Sequence, residues 1–228
     1  MREVVLTGPA VDGQAVRKIP LSVKVAYSAF MAILIPYYYH EYGLYNFLWF
    51  CDVALIVTFI GMWKDSKFLI STQAVAIVFL QFVWCIDFFF NMAFQRPLVG
   101  LATYMFDPEI LLFVRGLSLF HGWLPFLLLW LVSRMGYDRN AWKAQIGICW
   151  TVLLTAFMVL PGPDTLAGNV NNVFGWGETV QTAVHPVAWL GIVLLVCHCS
   201  FTSQAIQCSD SFLLAMPTNC QPLMRDDY

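Results

Sequence analysis

The sequence predicts an all-α fold: a polytopic bundle of six transmembrane helices with both chain ends in the cytoplasm. Three observations predict it. Of 228 residues, 60% are hydrophobic and only 11% charged, whereas soluble domains carry about 25% charged residues. So few charges cannot coat a water-facing surface, and a mean hydropathy of +0.69 places the chain among proteins solvated by hydrocarbon. Six apolar stretches also approach the roughly 17 to 25 residues that a helix needs to cross a bilayer. Finally, Lys and Arg fall almost entirely on one side of those stretches, as the positive-inside rule requires.

The spans are expected at 22–39, 46–63, 68–91, 109–132, 144–161 and 183–200, the last two being the shortest. Each is bounded by breakers or charges. Gly43 follows the first, Lys64-Asp65-Ser66-Lys67 the second and Arg96-Pro97 the third; Gly136 and Asp138 follow the fourth, and Pro161-Gly162-Pro163 closes the fifth. Arg2, Arg17, Lys18, Lys24, Lys64, Lys67, Arg134, Arg139, Lys143 and Arg225 then share one side. Of the 12 basic residues only Arg96 lies opposite and only Arg115 inside a span. Residues 1–20 read as a cytoplasmic segment without the apolar core of a signal peptide, 21–200 as the membrane domain, and 201–228 as a polar, disordered cytoplasmic tail. The apolar stretch 97–106 is too short to cross and reads as interfacial or re-entrant. The loop 161–178 carries the turn signals PGPD and GNVNN.

Ionisable groups inside spans are costly and turn toward a bundle interior or a water cavity. Counted inward from the outer ends at about 1.5 Å per residue, Asp52, Asp87 and Arg115 all lie about 6–9 Å deep, on three different spans. His185 opens the last span near the same surface, and His121 lies nearer the midplane, about 18 Å in. This clustering predicts a polar pocket open to the extracytoplasmic side, with Arg115 paired to Asp52 and Asp87. A purely structural ion network among the three is the alternative. In RGLSLFHGWLP (115–125), Arg115, Ser118 and His121 follow at i, i+3 and i+6 as a polar stripe. Gly116 and Gly122 would admit a neighbouring backbone, and Pro125 would free the His121 carbonyl and kink the helix.

Cys51 could act as a nucleophile with His121 as base, although a buried inert thiol is the plainer reading. The seven cysteines are odd in number and scattered, unlike a disulfide framework. Cys197-His198-Cys199, with Cys208 and Cys220, matches no zinc spacing. Tyr37, Tyr38, Tyr39, Tyr42, Tyr45, Trp49 and Trp176 read as an aromatic belt. Asn169, Asn171 and Asn172 could cap the pocket or simply form a turn.

The stretches NFLWFCDVAL (46–55), YMFDP (104–108), RGLSLFHGWLP, RMGYDR (134–139) and NVNNVFG (169–175) resemble an uncharacterised family of bacterial membrane proteins labelled "membrane-associated protein". The resemblance covers about residues 18–196 and implies the bacterial inner (plasma) membrane. It stops at CHCSFTSQ, where that family carries Pro-Thr-His and a basic end. Cys51-Asp52, Ser118 to His121 and Asn169 to Asn172 also resemble, in order, motifs of the YwaF-like group, which includes an ether-phospholipid acyltransferase. That resemblance implies acyl transfer through Cys51 and His121.

Two function classes therefore stand side by side. One is an intramembrane enzyme of acyl transfer or ester hydrolysis, with Cys51, His121 and Ser118 catalytic and Arg115, Asp52, Asp87, His185 and Asn172 holding substrate. The other is a non-enzymatic binder or transporter, or a structural subunit of a membrane complex. Membrane lipids are the expected partners, alone or beside a homo-oligomeric or complex partner. A net charge of -2 gives no basis for nucleic-acid binding. No Rossmann, P-loop, haem or zinc signature is present, so no cofactor or metal is implied.

Overall fold

The computed structural model describes residues 18–160, 169–177 and 180–215, with side chains through Ser203. Residues 1–17, the PGPD turn and residues 216–228 lie outside the described residues. The described chain is all helical, without strands. Five helices are long and apolar enough to cross a membrane. They are α1 (Leu21–Tyr42), α3 (Lys67–Phe94), the pair α4 (Leu112–Ser118) and α5 (Phe120–Met135) taken as one stretch, α6 (Ala141–Val159) and α7 (Pro186–Ala215).

The second expected span, 46–63, differs. It begins as a 3₁₀ turn, Leu44–Leu48, is interrupted by extended Trp49, and continues as the short α2 (Phe50–Trp63). Fourteen residues reach about 21 Å, less than the roughly 30 Å of a hydrocarbon core. The last helix differs in the other direction, continuing through Ala215 where a disordered tail was expected.

Local chemistry sets the boundaries. Gly43 (φ 73°) ends α1, and its N–H donates to the Tyr39 carbonyl; Gly136 (φ 84°) ends α5 in the same way on Val132. Ser66 caps α3, its hydroxyl accepting from the Leu69 N–H at 3.3 Å. The α2–α3 hairpin closes tightly at Gly61, where a Cβ would come within 3.1 Å of Leu69 and Ile70. The expected close approach at Gly116 and Gly122 is absent, for both face open space. The helical interruption in the RGLSLFHGWLP stretch falls at Leu119, one and a half turns before Pro125, which lies within α5.

The main core joins α1, α2, α3 and α5 through Tyr27, Met31, Leu34, Leu55, Ile70, Phe120, Leu124 and Leu128. A second core, around Cys149, Leu153 and Val173, packs α6 and α7 against α3. Lys18, Lys24, Lys64, Lys67, Arg134, Arg139 and Lys143 gather at one end of the bundle, called the basic end. The loop residues 43–49, 95–111, 169–177 and 180–185 form the far end.

At the basic end Asp65, itself at φ 47°, ties the start of the chain to the α2–α3 turn. Its carboxylate receives Lys24 Nζ at 2.8 Å and the Ile19 N–H at 3.1 Å. Burial pushes the carboxyl up, but the Lys24 and Ile19 hydrogen bonds and the charges of Lys24 and Lys18 outweigh it and hold it below its ordinary value. A lowered folded value means that the stabilisation is complete above the unfolded value, about 3.9, and fades as pH falls through the folded one. Asp65→Asn should therefore melt below the parent protein at pH 7, and the gap should close as acid protonates Asp65. Paired thermal unfolding in detergent between pH 7 and pH 3 checks this.

Candidate functional site

The far end contains more polar backbone than a helical bundle can satisfy by itself. After Gln95 (φ 54°) and Pro97 the chain leaves α3 and folds back along it. The N–H groups of residues 98–102 then have no helical acceptor. Asp87, fully buried and seven residues before the end of α3, supplies one. Its Oδ1 accepts from Leu98 (2.8 Å), Val99 (2.7 Å) and Gly100 (3.2 Å), and its Oδ2 from Gly100 (3.2 Å) and Ala102 (2.8 Å). Irregular backbone at membrane depth survives where such internal partners exist.

Asn171 does the same for α2. Trp49 offers no side-chain cap, so the first N–H groups of α2 need an outside acceptor. Asn171 Oδ1 accepts from the Phe50 N–H (3.1 Å), and its Nδ2 donates to the Leu48 carbonyl (2.7 Å), from 121 residues away. Asn169 accepts from the Phe174 N–H and donates to the Gly175 carbonyl, while Asn172 accepts from the Gly177 N–H and, through its carbonyl, from Trp189 Nε1. The asparagine run is thus a turn that docks on the start of α2. His185 is exposed and receives the Val187 N–H at the start of α7.

Inside these two supports lies the polar cluster. Asp52, 3% exposed in the first turn of α2, receives Asn46 Nδ2 on Oδ2 (3.2 Å), with the Cys51 thiol at 4.0 Å; its Oδ1 has no partner. Tyr38 is buried, unlike the exposed belt residues Tyr39, Tyr42, Tyr45, Trp49 and Trp176, and shares a 2.9 Å hydrogen bond with Ser118. Tyr38 lies within electrostatic reach of Cys51 and Asp52. Tyr104, from the 3₁₀ turn Thr103–Phe106, comes near Ser118, Trp84, Cys51 and Tyr38. Arg115 donates from Nη1 to the Met105 carbonyl (3.2 Å), and its buried Nε is unpartnered.

The expected pairing of Arg115 with Asp52 and Asp87 is overturned: among the described residues no carboxylate meets Arg115. The physical reason is competition. Loop N–H groups occupy Asp87, and the Met105 carbonyl takes Arg115 Nη1, while Asp52 meets Asn46 through one oxygen only.

His121 stacks between Trp84 (4.9 Å) and Phe120 (4.0 Å), and Phe88 and Phe106 continue the column beyond Trp84. Its Nδ1 is 2.8 Å from the Ser118 carbonyl. A carbonyl can only accept, so Nδ1 carries the proton and Nε2 is the free acceptor of the neutral ring. The His121 carbonyl, released by Pro125, receives the Cys85 thiol at 3.7 Å. Cys85, not Cys51, is therefore the thiol in contact with His121.

The structure thus gathers Cys51, Asp52, Ser118 and His121 around Tyr38, Tyr104 and Trp84, holds Arg115 on the Met105 carbonyl beside Tyr104, and gives Asp87, Asn172 and His185 local backbone partners. Trp84 Nε1 joins Asp52 Oδ1 and Arg115 Nε as a buried polar atom without a partner. Tyr38, Tyr104 and Trp84 were not legible as site residues, because their aromatic character also fits a belt or a core. The absence of Ser, Thr, Asp or Asn at position 49 was the one signal that an outside cap was needed. Compared with protein-family models, curated proteins and solved structures, the chain matches none.

Asn171→Ala should remove both hydrogen bonds and expose the start of α2, lowering stability by about 2 kcal/mol. Asn171→Asp keeps the acceptor for Phe50 but loses the donor to Leu48, and should fall between the two. Thermal or denaturant unfolding in detergent checks the order.

Proposed function

We propose that this is an integral membrane protein whose far-end polar cluster binds the phosphate-and-ester region of a membrane lipid. The observation that carries the reading is the trio of unpartnered buried atoms: one acceptor, Asp52 Oδ1, and two donors, Arg115 Nε and Trp84 Nε1. Leaving such an atom unpaired costs about 1–3 kcal/mol, so buried atoms of this kind favour a polar guest. Arg115 suits phosphate because its planar fork can donate twice to one oxyanion. With Nη1 held by Met105 and Nε unused, it keeps further donors for a ligand. Tyr38, Ser118 and Tyr104 add hydroxyl groups suited to ester oxygens.

A second reading makes the same cluster catalytic, in acyl transfer or ester hydrolysis. The protonated Nδ1 of His121 favours it, because it leaves Nε2 as a base. Cys51 would attack the ester carbonyl, His121 would take the thiol proton and return it to the departing alcohol, and Ser118 would hold the His121 ring through its carbonyl and Tyr38 through its hydroxyl. Against it, the contacts of Cys51 lead to Asp52 and those of His121 to Ser118, Trp84, Phe120 and Cys85. Binding is therefore the better-supported function.

The proposed topology retains six crossings with the basic end in the cytoplasm, α2 and its 3₁₀ turn serving as the second. The basic asymmetry supports it. Single cysteines replacing Glu109 and Asn140, both exposed, should react with an impermeant maleimide from opposite sides, Glu109→Cys from outside intact cells. Labelling of both from one side would refute the arrangement.

Arg115→Lys preserves charge and should leave the unfolding temperature within a few degrees of the parent. It should weaken binding of a short-chain phosphatidic acid roughly 10- to 100-fold, the loss expected for charge-assisted hydrogen bonds. Calorimetric titration in detergent checks this, and unchanged affinity would remove Arg115 from the site. For the catalytic reading, cells producing the protein should differ in phospholipid acyl composition from cells producing His121→Ala.

A further inference from the structure

The basic end holds a second feature, independent of the polar cluster. An apolar groove of about 260 Å³ runs between α1 and α5, lined by Val23, Ala26, Tyr27, Phe30, Trp123 and Leu127. Its walls are held in place before anything enters. Trp123 packs edge-on against both Tyr27 (5.8 Å) and Phe30 (5.1 Å), and the Tyr27 hydroxyl donates to the Leu55 carbonyl at 3.0 Å. With that hydroxyl turned inward, the groove presents a mostly apolar wall.

The groove points to charge at one end. Trp123, Leu127, Trp130 and Arg134 follow one another down α5, and the eleven helical steps from Trp123 to Arg134 cover about 16 Å. Half of a hydrocarbon core is about 15 Å, so the strip matches one leaflet from midplane to surface. Arg134 packs over the Trp130 ring (5.6 Å) and donates Nε–H to the Lys18 carbonyl (3.2 Å). That bond fixes the guanidinium beside the start of α1 and leaves its terminal nitrogens available. The Lys18 residue is exposed. The nearby Lys24 is neutralised by Asp65, and Asp65 also lies within electrostatic reach of Lys18. The Lys67 side chain lies against Gly136, at the end of α5. The mouth thus carries more positive than negative charge, at the basic end of the helix pair that forms the groove.

We infer that the α1–α5 groove is a binding site for an anionic phospholipid, one acyl chain lying along Tyr27, Phe30 and Trp123 and its phosphate meeting Arg134 and Lys18. Charge complementarity selects the headgroup and the preformed aromatic walls receive the chain.

The test uses the whole protein in phosphatidylcholine vesicles in which a small fraction of lipid carries brominated acyl chains. Trp123 lines the groove, so the fluorescence quenching that is lost in Trp123→Phe reports its occupancy. Brominated phosphatidylglycerol should quench this component severalfold more than brominated phosphatidylcholine at the same fraction. Lys18→Gln, which keeps the carbonyl used by Arg134, and Arg134→Gln should each reduce the preference roughly fivefold, the weight of one basic residue at a membrane surface. Equal quenching by the two lipids, or a preference that persists in the double variant, would overturn the site.

Discussion

The far end of this protein depends on one constraint: backbone N–H groups at membrane depth must find acceptors inside the protein. Helices satisfy the constraint by themselves, and loops do not. Asp87 resolves it for residues 98–100 and 102, and Asn171 resolves it for Phe50 at the start of α2. Both are buried side chains acting as backbone partners across gaps in the helical pattern. Everything else at that end, including the position of Tyr104 and Met105 over the cluster, follows from where these two groups hold the chain.

The same constraint separates structural charge from available charge. A carboxylate saturated by backbone N–H groups has little capacity left for a ligand, and Asp87 is in that state. Asp52 is not: one oxygen meets Asn46 and the other meets nothing. Arg115 is similarly half used, with one nitrogen on the Met105 carbonyl and Nε idle. Three similar-looking intramembrane charges thus divide into one that builds the fold and two that remain free to act. Their failure to pair with one another keeps those two available.

The two ends of the bundle use apolar and polar material in opposite ways. At the far end, aromatic rings stack around His121 and enclose polar atoms. At the basic end, aromatic rings form an open apolar wall beneath exposed cations. Buried amides add a further layer between them, with Gln81 and Gln145 carrying unpartnered atoms in fully buried positions. These amides escaped a reading that followed ionisable groups alone, though their desolvation cost is of the same kind.

The sequence by itself determined the helical class, the apolar spans and the asymmetry of charge, because those depend on composition and on order along the chain. Local chemistry was legible too: Gly43 and Gly136 end helices, and Pro125 frees the His121 carbonyl that Cys85 then meets. Only the tertiary structure decided that α2 is short, that Arg115 meets Met105 and not a carboxylate, and that Tyr38 turns inward to Ser118. Depth along a helix can be counted from sequence, but rotation about its axis and the return path of a loop cannot. Asp52, Asp87 and Arg115 share a depth, and competition from backbone N–H groups, visible only in three dimensions, decided which of them meet.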